Sequence, residues 1–94
     1  MAINSDLNID VFIEEFRSEL ALAITRDPQP SNTLAELTAE VGLLAQSMLD
    51  IGDGHSKDWW NVWQGAKHVA AMAARCVLDG DRSLGAVPTG DNTK

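Results

Sequence analysis

Two carboxylates one helical turn apart are the residues of this 94-residue chain best suited to chemistry. Glu36 and Glu40 stand four positions apart in a run rich in leucine and alanine, and this spacing places both side chains on one side of an α-helix. Mg²⁺ prefers oxygen ligands and is commonly held by a few carboxylates together with the phosphates of a substrate. The pair is therefore a candidate Mg²⁺ site, and the alternative interpretation is an ordinary solvated helix surface.

A second polar cluster lies further along the chain, where it could meet this site or its ligand. Its candidate ligand-binding residues are Gln64, Lys67, His68 and Arg75. Lys67 or Arg75 could form an ion pair with one of the glutamates in place of a metal, or could bind the phosphates of a ligand. His68 is either a ligand contact or a hydrogen-bonded structural histidine. No carboxylate lies between positions 59 and 78, so a metal between the two segments would receive acidic ligands from one side only.

Three tryptophans within five positions form the third group of interest. Trp59, Trp60 and Trp63 cannot all face one core, because Trp60 is rotated by about 100° from Trp59 around a helix. We expect at least one of the rings to contact a partner subunit or to line a pocket. An indole ring can stack on a nucleobase, and it is equally suited to anchor a protein interface. We assign the three tryptophans to an interface, and the alternative is a partly exposed ring that lies on the surface of the bundle.

Helices must position these residues, since the apolar side chains recur at steps of three and four. This periodicity predicts helices over residues 6–26, 33–51 and 57–79. Prolines in the segment 27–32 and glycines in the segment 52–58 separate them. We expect Ser31, Asn32 or Thr33 to cap the second helix. Residues 84–94 have the Gly, Pro and polar content of a flexible tail.

Length and composition favour one all-α domain over residues 1–83. Because a chain of this size alone buries only about 60–65% of its unfolded surface, we expect three long antiparallel helices to pack into an oligomeric helical bundle, as a homodimer or tetramer. A formal charge of −7 with only seven Lys and Arg residues argues against DNA or RNA binding. A single cysteine and no apolar run near the roughly 18 residues of a membrane span favour a cytoplasmic protein without membrane contact.

Two segments resemble a known family. Residues 37–49, LTAEVGLLAQSML, resemble the L-x-E-E-x-G-E-x-A-x-A-L-L helix of MazG-like nucleoside triphosphate pyrophosphohydrolases. Residues 63–81, WQGAKHVAAMAARCVLDGD, are similar to the later helix of that family, which in many small members contains V-A-A-M-A-x-R and ends in G-D. The resemblance covers about residues 34–81. It implies an all-α dimer or tetramer that uses Mg²⁺ to hydrolyse nucleoside triphosphates between the α and β phosphates.

Most metal ligands that the resemblance implies are replaced in this chain. Glu40 aligns with one glutamate of the first motif, and Ala39 and Leu43 stand in place of the other two. Gly65 and His68 stand where the second motif has its glutamate and aspartate. A frame shifted by three positions matches both candidate glutamates but loses the Val-Gly match. Because charged phosphates need a firmly held cation for attack by water, the loss of ligands should remove the activity.

The sequence therefore predicts a MazG-like protein with an incomplete Mg²⁺ motif, which binds a nucleotide or another protein and has little or no hydrolase activity. One alternative is an active, Mg²⁺-dependent pyrophosphohydrolase in which Glu36 and Glu40 act together with Asp58 or Asp79 from a partner chain. The other is a helical adaptor without a ligand that docks through its tryptophans.

Overall fold

The computed structural model describes residues 5–89, which form three long α-helices. α1 is Ser5–Arg26, α2 is Thr33–Gly52 and α3 is Trp59–Leu78. A short 3-10 helix, Arg82–Leu84, follows, and no β-strand occurs within the described range. The prediction of an all-α fold is confirmed. None of the three helices is both long and apolar enough to cross a membrane.

α1 packs along α3 in the same direction. Phe12 meets Trp63 near the beginning of α3, with the ring centroids 5.4 Å apart and the planes at 82°. Near the end of α1, the backbone carbonyl of Ala23 accepts a hydrogen bond from Arg75. Since the residue numbers of these contacts increase together along both helices, α1 and α3 are parallel.

α2 packs on another side of α3 and runs in the opposite direction. Leu44 lies against Gly65, where an added Cβ would come 3.3 Å from Leu44 Cδ1. The amide of Leu34 donates to Asp81, just beyond the end of α3. No Cα atom of α1 lies within 8 Å of a Cα atom of α2 in the described residues. Consecutive helices therefore alternate in direction, and α3 occupies the middle of the fold.

The residues after α3 fold back onto the beginning of α2. Asp81 is buried, and its carboxylate accepts hydrogen bonds from the amide of Leu34 at 2.8 Å and from the hydroxyl of Ser83 at 2.6 Å. Its backbone pairs with Ala86. Asn32, at the expected cap position, makes no capping hydrogen bond with its side chain. The cap of α2 thus comes from Asp81, and the turn 81–86 extends into the segment predicted to be a flexible tail, of which residues 90–94 lie outside the described range.

Few apolar side chains are enclosed within this arrangement. Besides Pro30, the apolar residues buried in the described part of the chain are Val62 and Ala71. Six apolar residues of α2 recur at steps of three and four and form a stripe along the helix. Three of them are half-buried toward α3, namely Leu37, Leu44 and Ile51. The other three are exposed, namely Leu34, Val41 and Met48. A second apolar sector of α2 therefore faces away from the fold.

Candidate functional site

The two glutamates of the predicted metal site have different surroundings. Glu40 is half-buried, with its Oε1 3.7 Å from Nδ1 of His68 on α3. Glu36 lies one turn earlier and is exposed to solvent. The structure therefore brings Glu40 and His68 together, as expected for facing helices, and leaves Glu36 outside this cluster.

His68 lies between carboxylates from both neighbouring helices. Its Nε2 is 3.7 Å from Oε2 of Glu19 on α1, and its Nδ1 is 3.7 Å from Oε1 of Glu40 on α2. These distances exceed the 2.7–3.2 Å of an ordinary hydrogen bond, so His68 lies close to both carboxylates without forming a hydrogen bond to either. Glu19 was not among the predicted site residues, because helical periodicity does not reveal which helix packs beside which.

A small groove of about 240 Å³ surrounds this cluster. Besides the three charged residues just described, its walls come from Ala23, Arg26, Ala71 and Met72. Pockets for ligands of drug size usually measure about 300–1,000 Å³. Two of the lining residues, Glu19 and Glu40, contribute carboxylates, which disfavour the phosphates of a nucleotide.

A Mg²⁺ centre formed by one chain alone would need several oxygen ligands close together. Among residues 5–89, no group of three or more His, Cys, Asp and Glu side chains is arranged to hold a metal ion. His68 lies between the carboxylates of Glu19 and Glu40, at 3.7 Å from each.

The other two predicted cationic ligands are engaged by the protein itself. Nζ of Lys67 is 3.5 Å from Oε1 of Glu15, and only 12% of the lysine side chain is exposed. Arg75 is 3% exposed and donates to the carboxylate of Asp79 at 2.8 Å and to the backbone carbonyls of Ala23 and Asp27. These contacts hold α1 on α3 and direct both cations away from the groove.

The acids suggested as ligands from a partner chain have structural contacts as well. Asp79 binds Arg75, and Asp58 accepts a hydrogen bond of 3.0 Å from the amide of Trp60 at the beginning of α3. Asp58 therefore acts as the N-terminal cap of this helix.

The tryptophans surround a second pocket, of about 360 Å³, at the beginning of α3. It is lined by Glu15, Trp59, Trp60, Trp63 and Gln64. The indole N–H of Trp63 donates to Oε1 of Glu15 at 2.7 Å, and Phe12 packs edge-on against its ring. Trp59 and Trp60 are exposed, the latter by 64%. Gln64 belongs to this pocket, so the four predicted ligand-binding residues do not converge on one site.

No protein-family model matches this chain, and no curated protein or solved structure is similar enough to count as a match. The resemblance of residues 34–81 to the MazG-like family therefore stays a prediction.

Proposed function

We propose that this chain is a MazG-like helical protein with little or no hydrolase activity, which functions as a protein-interaction module by associating with a second copy of itself. The observation that carries the proposal is the apolar sector that α2 and α3 leave uncovered. The contacts of Lys67 and Arg75 within the protein support it, because they engage two cationic side chains that a nucleotide would need.

The open sector begins on α2. Leu34, Val41 and Met48 recur every seven residues, and the latter two are 46% and 52% exposed. A spacing of seven along a helix is typical of the seam between two packed helices. α3 already covers the neighbouring positions of this stripe, so the exposed positions are placed to meet a helix from another molecule.

α3 continues the same surface. Ala66, Ala70, Ala73 and Val77 follow one another at steps of four, three and four, and Val77 is exposed. Val77 and Leu34 line one largely apolar pocket of about 370 Å³, so the exposed residues of α2 and α3 lie beside one another at this end of the fold. Small alanine side chains allow helices to approach closely. A twofold dimer through this patch would place four helices around a common core.

The absence of hydrolysis follows from the charges at the groove. Phosphoryl chemistry requires a held cation or several free cationic side chains. Lys67 and Arg75 are bound by groups of the protein, and His68 faces two carboxylates. We therefore expect neither firm Mg²⁺ binding nor efficient cleavage of nucleoside triphosphates.

Light scattering tests self-association. The wild type should have twice the 10.2 kDa mass of the chain, and a variant with Val41→Glu and Met48→Glu should be monomeric, because two charges would enter the apolar seam. Leu43→Glu is the matched control, since Leu43 is exposed on the opposite side of α2. A monomeric wild type, or a double variant that still dimerises like the control, would contradict the proposal.

Pyrophosphate release tests the catalytic part. With Mg²⁺ and a panel of nucleoside triphosphates, the wild type should stay at the level of the blank. His68→Asp should increase Mn²⁺ affinity, because it replaces the imidazole with a third carboxylate beside Glu19 and Glu40. Turnover by the wild type that Glu40→Ala abolishes would establish an active hydrolase instead. Saturable thermal stabilisation by a nucleotide would show a ligand-binding module.

A further inference from the structure

We propose that the tryptophan pocket at the beginning of α3 binds the trimethylammonium group of a small organic cation. The pocket is lined by Glu15, Trp59, Trp60, Trp63 and Gln64. This proposal goes beyond the proposed function and does not depend on the groove around His68.

The indole rings provide the main attraction. The face of an aromatic ring carries negative charge density, and tryptophan attracts cations most strongly among the aromatic residues. Trp63 is held in place by its hydrogen bond to Glu15 and by the edge of Phe12. Trp59 and Trp60 stand exposed beside it. One fixed ring and two open rings therefore border the same space.

The charge of the pocket selects a cation over an anion. Glu15 contributes a carboxylate, and the whole chain carries a formal charge of −7. Lys67 is the nearby cation, but its largely buried side chain does not line the pocket. Lys67 and Trp63 both contact the same oxygen of Glu15, Oε1. Lys67 offsets part of this charge from outside the pocket, but the carboxylate of Glu15 is the one formal charge of the lining and favours a cation over an anion.

The remaining polar groups favour an alkylated ammonium over a guanidinium. A guanidinium binds best to both oxygens of one carboxylate, and one oxygen of Glu15 already accepts from the protein. A trimethylammonium group needs no hydrogen bonds, and its methyl groups carry positive charge onto the indole faces. The volume of about 360 Å³ is ample for one such group.

Titration with tetramethylammonium and choline tests the pocket, at constant ionic strength and with the methyl protons of each ligand observed by NMR. The neutral isostere of choline, 3,3-dimethylbutan-1-ol, is the matched control ligand. Both cations should bind saturably, with methyl resonances shifted upfield by the indole rings. The alcohol should bind about fivefold more weakly, which corresponds to about 1 kcal/mol. Equal binding of the alcohol and choline, or no saturable shift with tetramethylammonium, would overturn the proposal.

Variants then locate the site. Trp60→Leu should weaken binding about fivefold while Trp60→Phe keeps most of it, because phenylalanine retains an aromatic face. Glu15→Gln should also weaken binding, although it keeps an acceptor for Trp63. Leu43→Ala, on α2 far from the pocket, should change nothing. If Trp60→Leu binds like the wild type, the cation does not occupy this pocket.

Vesicles distinguish a free cation from a lipid head group. The protein should not co-sediment with phosphatidylcholine vesicles while it binds free choline. Co-sedimentation without binding of the free cations would assign the site to lipid and overturn the proposal of a small cation. If the cations do not bind, the mass measured by light scattering is not affected. The proposals of cation binding and of self-association are therefore tested separately.

Discussion

Asp81 shows how one side chain joins distant parts of the chain. It caps α2 through the amide of Leu34, 47 positions earlier, and it orders the turn that contains Ser83. Asp81→Asn should lower the melting temperature, because an amide is a weaker acceptor for these donors than a carboxylate. Asp53→Asn is a suitable control, since Asp53 is exposed at the end of α2. A melting temperature as low in the control as in Asp81→Asn would contradict this role.

The same carboxylate gives stability a defined dependence on pH. The hydrogen bond from the Ser83 side chain, followed by that from the Leu34 amide, holds the pKa of Asp81 below its ordinary value of 3.8. A lowered pKa in the folded protein means that the stabilisation is complete above the ordinary value and is lost as the pH falls through the folded value. The wild type should therefore lose more stability than Asp81→Asn on acidification below about pH 4. Thermal melts of both proteins across this range measure the difference, and parallel curves would contradict it.

At the scale of single residues, the sequence predicts on which side of its helix a polar side chain lies. It does not predict which residue that side chain contacts. The periodicity places Glu40 and His68 on facing helices, and the structure brings them together. The sequence offers Glu36 and Glu40 as possible ion-pair partners of Lys67 or Arg75, whereas Lys67 contacts Glu15. Periodicity defines the sides of one helix, but the order in which helices lie beside one another depends on the packing of the whole molecule.

At the scale of the helices, Arg75 is the main polar connection between α1 and α3. It is buried, and its guanidinium binds the carbonyls of Ala23 and Asp27 at the end of α1 as well as Asp79. Arg75→Met should reduce the free energy of unfolding by about 2–4 kcal/mol, because carbonyls and a carboxylate lose charge-assisted partners. Urea denaturation measures this change. Arg82→Met, at an exposed arginine, should have little effect, and equal losses in both variants would contradict the assigned role.

Gly65 sets how closely α2 approaches α3. A Cβ there would lie 3.3 Å from Leu44 Cδ1, whereas a Cβ at Gly42 would meet nothing within 4 Å. Gly42→Ala should stabilise the protein by about 0.5–1 kcal/mol through higher helix propensity. Gly65→Ala should give a smaller gain or a loss, because Leu44 must move. Urea denaturation of both variants decides, and equal gains would mean that the helices are not in close contact at Gly65.

The helices themselves were predictable, but the contacts at their ends were less so. Steps of three and four in the apolar residues are a local property, and they identify α1, α2 and α3 directly. The cap of α2 was expected from Ser31, Asn32 or Thr33, whereas Asp81 provides it. A side chain so far along the chain leaves no local signal near the helix that it caps.

For the whole molecule, the decisive property is the small amount of apolar surface that one chain buries. Val62 and Ala71 are its buried apolar side chains besides Pro30, within the described residues. If a second copy covers the open sector, the folded dimer is favoured by mass action, and the melting temperature should rise with protein concentration. The variant with Val41→Glu and Met48→Glu should melt at a temperature independent of concentration. A wild type without such dependence would indicate a stable monomer.

The central position of α3 also determines the order in which the helices can pack during synthesis. α1 packs on α3, and in the described residues no Cα atom of α1 lies within 8 Å of a Cα atom of α2, although α2 is made before α3. α1 therefore leaves the ribosome before α3, on which it packs, has been translated. Since α2 and α3 are adjacent in the chain, their hairpin closes the shorter loop, and it is the natural nucleus onto which α1 folds last.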